Sequence, residues 1–274
     1  MNLTFKKTSE PYEWAVTNEN NDMVGRGYLV EFQASDLYEK RRMNYFVDVE
    51  IDVEDPGHKI GSAIISEMVT QAKKERAKYP DQLARAYHCC FTDKVDLIEF
   101  YKSIDGFQAD EGMHILHHDL KSIPDLNPLA SNLRVVEDNF KTEEDMQAFV
   151  DSHVKVFSGH PYSVDKLIAL KKEPGFKSIG VYDGETIVGN IMVQREEEDG
   201  QVFGWIEDMY VSRSHRKRGI ANHLVIMALA YCKEMGLLAS RLEVWSANAR
   251  ANGLYDKVGY KLLKSTEVSI GMSI

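Results

Sequence analysis

The sequence predicts an α/β (α+β) fold made of two tandem domains. Three observations support that expectation. In the second half, apolar periodicity and turn signals give the order β-α-α-β-β-β-α-β-α-β-β. The first half repeats part of that plan: with Val53 set on Val211 the offset is 211 − 53 = 158, which places Gly61 on Gly219 and Ala63 on Ala221. Between Trp205 and Leu224 a strand runs into a basic turn with one glycine and then into a helix.

The elements of the second half follow from local chemistry. The segment Ser122–Ser131 holds two prolines and several turn formers and reads as a linker. It divides the chain into domains 1–123 and 132–274, with 124–131 between them. Leu133–Glu137 is a short strand. Thr142–Phe157 is a helix, with Thr142 as its cap and Asp145 answering three residues later. A second helix starts near Ser163, with Asp165 in its first turn. Lys177–Tyr182 and Thr186–Arg195 alternate apolar and polar residues around the hairpin turn Asp183-Gly184. Gln201–Val211 is the next strand. Gly219–Met235 is a helix closed by Gly236. Arg241–Trp245 is a strand, Ala249–Val258 a helix ended by Gly259, and Tyr260–Lys264 and Glu267–Ile270 are read as two closing strands. In the first half, Phe46–Val53 is a strand and Ile60–Glu75 a helix, and Glu99–Ser103 precedes a Gly-Phe pair.

Composition narrows the function. Hydrophobic residues at 43% and charged residues at 28% fit a folded globular chain rather than a disordered one. A net charge of −10 argues against nucleic-acid or anionic-membrane partners, which need clustered Lys and Arg. The N-terminal stretch has no apolar core of a signal peptide, and no window approaches the length of a membrane span. Cys89, Cys90 and Cys232 form neither a disulfide framework nor a metal spacing, and a cytoplasmic setting is expected. His153, His160, His215 and His223 lack the spacing of a zinc site, and no metal is expected.

The basic turn Arg216-Lys217-Arg218 before Gly219 offers cations, free main-chain N–H groups and the positive end of a helix dipole to an anion. It suits a pyrophosphate. No Gly-x-x-x-x-Gly-Lys-Ser/Thr run occurs, which disfavours a nucleotide-binding loop of that type.

Arg216-Lys-Arg-Gly219-Ile220-Ala221 resembles the Arg/Gln-x-x-Gly-x-Gly/Ala signature of the GNAT superfamily of N-acetyltransferases. Ile206–Val211 is similar to that family's fourth strand. Asn248, Ala251, Leu254, Tyr255, Gly259 and Tyr260 match its fifth-strand and following-helix pattern. The resemblance covers residues 132–274 well and 1–120 faintly. It implies two tandem GNAT-like domains, each a mixed, mostly antiparallel twisted sheet flanked by helices with splayed central strands. It implies acetyl-CoA as cosubstrate, with the main chain of Met209, Tyr210 and Val211 pairing with the pantetheine arm. Arg216, Lys217, Arg218, Gly219, Ile220 and Ala221 would hold the pyrophosphate, and Asn248 and Tyr255 would contact the cofactor. A main-chain N–H near Met209–Val211 would stabilise the oxyanion.

The acceptor amine must be neutral to attack, and at pH 7 only about 1 in 10³ molecules of a lysine-type amine is. A carboxylate can take its proton. Glu207 stands ahead of Glu243 for that task. Strict alternation puts Glu207 on the face of Trp205, Met209 and Val211, and Asp208 on the opposite face as a structural residue. Tyr255 matches the family's tyrosine that protonates the leaving thiolate. No cysteine lies in either motif to relay the acetyl group, so direct attack in a ternary complex is expected.

The first half departs from the pattern. His58 stands where Arg216 stands, Ile60 where Arg218 stands, and Val49 where Glu207 stands. Lys94 takes the place of the asparagine. That half is read as a degenerate copy.

The leading expectation is thus an acetyl-CoA-dependent N-acetyltransferase acting on a small-molecule or peptide primary amine. The alternative is a non-catalytic CoA-binding or scaffold protein of the same fold. The acceptor and the oligomeric state, a homodimer included, are not legible in the sequence.

Overall fold

The computed structural model describes residues 2–33, 42–157 and 162–274. By proximity the chain forms two compact units that do not follow chain order. Unit 1 comprises Met1–His114, Trp245–Ala249 and Ser265–Ile274, and unit 2 comprises Ile115–Val244 and Arg250–Lys264.

In unit 1 the strands are β1 (Thr4–Lys7), β2 (Glu13–Thr17), β3 (Met23–Gln33), β4 (Arg42–Ile51) and β5 (Leu83–Phe91). Helix α1 (Lys59–Arg76) joins β4 to β5, and α2 (Val95–Lys102) leads from β5 to β6 (Gln108–His118). Strands β1 to β4 are successively antiparallel, whereas β4 and β5 are parallel, as a helical crossover requires. Helix α1 buries Ile60, Ile64, Ile65, Met68 and Val69 against Leu29, Tyr45, Val47 and Ala86. The end of the chain also belongs here: Glu267–Ser273 runs antiparallel to β5, from Glu267 opposite Phe91 to Ser273 opposite Arg85.

Unit 2 opens with β7 (Leu133–Glu137) and two helices, α3 (Glu143–His153) and α4 (Val164–Leu170). The expected capping box is present at α3: Asp145 N–H donates to Thr142 Oγ1 at 3.2 Å, and Thr142 N–H to Asp145 Oδ2 at 2.9 Å. Ser163 caps α4. Then come β8 (Lys177–Asp183), β9 (Thr186–Glu198), β10 (Gln201–Val211), α5 (Ile220–Glu234), β11 (Ser240–Trp245), α6 (Ala249–Val258) and β12 (Lys261–Ser273). The sheet order runs β11-β10-β9-β8-β7, antiparallel except for the β10–β11 pair. One face packs on α5 and α6 through Ile191, Val193, Ile206, Leu224, Leu229 and Val258. The other face packs on α3 and α4 through Phe149, Leu167, Met192 and Tyr210.

The segment read as a linker packs on unit 2. Ile123 and Leu129 lie against its core, and His223 Nδ1 donates to the Asn127 carbonyl at 2.8 Å. The two expected closing strands are instead one continuous strand, β12. Its middle, Lys264-Ser-Thr-Glu267, is polar, but it holds no Gly, Pro, Asn or Asp to turn the chain.

Candidate functional site

The end of β10 runs into a short 3₁₀ turn, Arg213–His215, and then into α5. His215 fixes that turn: its Nε2 lies 3.1 Å from Asp183 Oδ2, and its Nδ1 lies 2.9 Å from Ser214 Oγ. Lys217 (φ 63°) and Gly219 (φ 81°) both take the left-handed conformation on either side of Arg218. A lysine there carries strain that the turn must offset. Alternating left-handed residues direct successive N–H groups into one concavity, an anion nest. A side chain at Gly219 would meet no atom within 4 Å, so the backbone conformation rather than crowding calls for glycine. Among the described residues no protein acceptor faces the N–H groups of residues 217 to 222. Arg216 turns back, its Nε donating to the Val211 carbonyl at 3.4 Å.

Beside this turn the sheet opens. The parallel β10–β11 ladder runs from Gly204–Ser240 to Ile206–Leu242 and ends there. Residues 208–211 continue to pair with β9 alone. Ser212 N–H donates to the Val188 carbonyl on the β9 side, so by alternation the main-chain groups of Met209 and Val211 face the open edge.

The strand also carries a bulge. Ile206 lies opposite Val193 and Asp208 opposite Met192, so Glu207 is the extra residue. This corrects the facing read from strict alternation. Met209 and Val211 pack on the α5 face with Ile206, while Tyr210 packs on the α3–α4 face. Glu207 and Asp208 both meet groups from the α3–α4 side. Tyr162 Oη donates to Glu207 Oε1 at 3.4 Å, and His153 Nε2 lies 3.2 Å from Asp208 Oδ1. The inserted residue resets the two-residue period, which no pattern of side chains in the sequence announces.

Burial pushes the Glu207 carboxyl above its ordinary value, opposed by Lys166 and by hydrogen bonds from Trp205 and Tyr162. Lys166 Nζ itself stands 4.4 Å from the centroid of the Tyr162 ring. Glu243, the other carboxylate considered as base, is exposed on β11. Tyr255 is buried, edge-on to Tyr260 at 5.7 Å, and burial together with the Asp208 charge pushes its phenol well above the ordinary range. Asn248 falls in the 245–249 segment grouped with unit 1, where its N–H donates to the Trp245 carbonyl at 2.9 Å. Cys232 is buried on α5, and burial pushes its thiol to about 12.

Unit 1 contains the same layout with its openings filled. Its β4–β5 ladder ends at Phe46–Tyr87. Just beyond, the His88 ring reaches from β5 to the Val47 carbonyl on β4 at 3.1 Å, stacked on Tyr101 at 4.0 Å. Tyr101 Oη donates to Asp48 Oδ1 at 3.0 Å. At the start of α1, Asp55 accepts the N–H groups of Ile60 and Gly61 at 2.9 and 2.8 Å.

The geometry also corrects the repeat offset. The left-handed N-cap of α1 is His58 (φ 55°), so it matches Gly219, the left-handed N-cap of α5, at 219 − 58 = 161. Gly61 lies inside the helix, where a side chain would press on Phe100. The last parallel pairs give 206 − 46 = 160, which sets Asp48 on Asp208 and Val47, not Val49, on Glu207.

Sequence reasoning missed His153 and Tyr162 as neighbours of the carboxylates, and Asp55 and His88 as internal fillers. His153 had a legible signal, a histidine at the end of an amphipathic helix. Of the histidines weighed as metal ligands, His160 lies outside the described residues; among those residues no cluster of three or more His, Cys, Asp or Glu assembles. Nor, among them, is any helix long and apolar enough to cross a membrane.

Residues 143–260 match the model of the Acetyltransferase (GNAT) family. That span runs from α3 to Tyr260, two residues past α6, and so contains the open strand edge and the basic turn. The class so defined is the N-acetyltransferases. The chain is similar to streptothricin acetyltransferase of Escherichia coli, with 28% identity over 133 residues, covering 48% of this chain and 73% of that protein. It is similar to mycothiol acetyltransferase of Thermobispora bispora, with 27% identity over 132 residues and 44% of each chain covered. A solved GCN5-related N-acetyltransferase from Sphaerobacter thermophilus shares the fold at a TM-score of 0.52 and 15% identity, covering 96% of this chain and 80% of that one. Residues 143–260 are thus a GNAT-family acetyltransferase domain, and the fold is shared with the Sphaerobacter protein.

Proposed function

We propose that unit 2 transfers an acetyl group from acetyl-CoA to a primary amine by direct attack in a ternary complex. The observation that carries this reading is the contrast between two helix starts. At α5 the N–H groups of 217–222 face no protein acceptor among the described residues, whereas at α1 Asp55 accepts two of the equivalent groups. A CoA pyrophosphate fits the first place: it brings the charge that the nest, the helix dipole and Arg216, Lys217 and Arg218 favour. Acetyl-CoA, when bound, supplies the activated thioester.

The chain's own residues supply the rest. The open β10 edge presents the main-chain groups of Met209 and the N–H of Val211 to an amide-bearing arm. Glu207, raised by burial toward neutral pH, takes the proton of the attacking amine. Tyr255 holds its proton firmly. Its phenol lies well above a thiol's ordinary value of ~8.5, so full transfer to the sulfur runs uphill. Tyr255 acts as a hydrogen-bond donor that steadies the leaving thiolate. Cys232, buried and high in pKa, is unsuited to a covalent relay. Unit 1 is a degenerate tandem copy that takes no CoA, its wedge filled by His88 and its helix start by Asp55. Small polycationic amines and amine-bearing peptides fit the acceptor role.

Calorimetric titration with acetyl-CoA, followed by free-thiol release across a panel of amines, tests this reading. One site per chain and thiol release with at least one amine are expected. Absence of binding overturns it, and binding without release from any amine leaves a CoA-binding protein instead.

A further inference from the structure

We propose that the buried His153–Asp208 pair is a positioning device for Glu207, holding the β10 bulge that turns this glutamate toward the acceptor side. The inference rests on the reading of Glu207 as the proton acceptor.

A bulge forfeits ladder hydrogen bonds and persists only where the surroundings hold it. Here the residue after the bulge is held from outside the sheet. His153 Nε2 meets Asp208 Oδ1 at 3.2 Å, with the two side chains 2% and 15% exposed. The imidazole is itself immobilised. It lies 5.3 Å from Phe149, edge-on to Tyr162 at 5.0 Å and edge-on to Tyr210 at 5.5 Å. His153 ends α3, and that helix is fixed at its other end by the Thr142–Asp145 capping box. With Asp208 pinned toward α3, the residue before it cannot stay in register with β9, and Glu207 is displaced from the ladder.

The same ring that braces His153 also contacts the glutamate. Tyr162 lies across the His153 ring at 88° and donates its hydroxyl to Glu207 at 3.4 Å. The two adjacent carboxylates are thus set by one aromatic-polar assembly. Lys166 from α4, Tyr162 from the α3–α4 connection, and Trp205 and Asp208 from β10 face Glu207; His153 from α3 faces Asp208.

Unit 1 serves as an internal control. Between its β1 and β2 run only residues 8 to 12, with no helix to supply such a histidine. Its β3–β4 register runs from Gly25–Ile51 to Gln33–Met43 without a shift. Asp48 is present at the position of Asp208, but the residue before it is Val47. Helix, histidine, bulge and glutamate occur together in one copy and are all missing from the other.

The test uses the full chain with 13C-labelled glutamate carboxyl groups, the Glu207 resonance being identified by its loss in Glu207→Gln. In Asp208→Asn, which is isosteric and keeps an oxygen for His153, the Glu207 titration midpoint is expected to fall, because a like charge is removed. In His153→Phe, the amide resonances of 207 and 208 are expected to move. Turnover should fall about a hundredfold, with the KM for acetyl-CoA within about twofold of wild type. His153→Gln, which keeps an N–H donor, should restore most of the turnover. If His153→Phe does not fold, Asp208→Asn and His153→Gln decide. An unchanged Glu207 midpoint in Asp208→Asn, or wild-type turnover in a folded His153→Phe, overturns the proposal. Failure of every amine to release thiol from the wild type would instead overturn the catalytic reading, and the titration comparison would still decide the role of the pair.

Discussion

The carboxylate of Asp55 accepts the amide of Gly61 at 2.8 Å, occupying in unit 1 the kind of helix start that unit 2 leaves without an acceptor. Its second oxygen takes Ile60 N–H at 2.9 Å. Asp55 therefore works as a capping group in place of a phosphate. Asp55→Ala should cost about 1 kcal/mol, as the loss of a helix cap does, and lower the melting temperature. It should not create a second acetyl-CoA site, because His88 still spans the β4–β5 opening. Thermal melts and calorimetric stoichiometry check both halves of that expectation; a stoichiometry rising from one to two would contradict it.

Arg216→Glu combined with Gly219→Glu should remove acetyl-CoA binding. Two negative charges would stand where the diphosphate is expected, and like charges brought together cost several kcal/mol. Gly219→Asn is the control. Asparagine tolerates the left-handed conformation that this position adopts at φ 81°, so affinity should fall little. Titration calorimetry on the double variant and the control distinguishes a site from a solvated basic turn.

The caps at Thr142 and Ser163, the Asp183-Gly184 turn and the ends of β10 and α6 follow from side-chain chemistry that acts within a few residues. The basic turn was readable for the same reason. The bulge at Glu207 was not, because it is held by His153, 208 − 153 = 55 residues before Asp208. Asp55 escaped notice because an aspartate before a helix ordinarily signals a simple cap. The repeat was detectable, but its offset was misplaced by two or three residues, since Gly61 draws the alignment while His58 holds the matching backbone conformation.

The rate should depend on pH through Glu207. Its folded-state carboxyl lies above the ordinary value through burial. The ionised form accepts the proton, so kcat/KM should rise as pH rises through this raised value and then level. Glu207→Gln should cost roughly 10²–10⁴ in rate and abolish that acid limb. Glu243→Gln, altering an exposed residue of β11, should leave the limb in place. A pH–rate profile in which Glu243→Gln removes the limb and Glu207→Gln keeps it would exchange the two roles.

Tyr255→Phe should slow turnover while acetyl-CoA affinity stays near wild type. The ring packs in the core beside Tyr260, and phenylalanine keeps that packing. Only the hydroxyl is lost. A hydrogen bond to a charged group is worth about 1.5–3 kcal/mol, so a drop of roughly 10- to 150-fold in kcat follows. Pre-steady-state thiol release measured against amine concentration checks it; an unchanged rate would remove Tyr255 from the chemistry.

A fragment ending at His114 lacks Ser265–Ile274, which pairs with β5 from Glu267–Phe91 to Ser273–Arg85. It also loses Ile270, fully buried in the unit 1 core, and Ser269 Oγ, which accepts a hydrogen bond from buried Arg85 at 2.7 Å. Exposing that core and leaving a long unpaired β5 edge favours aggregation over folding. The 1–114 fragment should therefore show weak amide protection throughout β5. A peptide of residues 265–274 added in trans should restore protection at Arg85–Phe91 first, since those residues form its register. Full protection of β5 in the fragment alone would show that the terminal strand is dispensable.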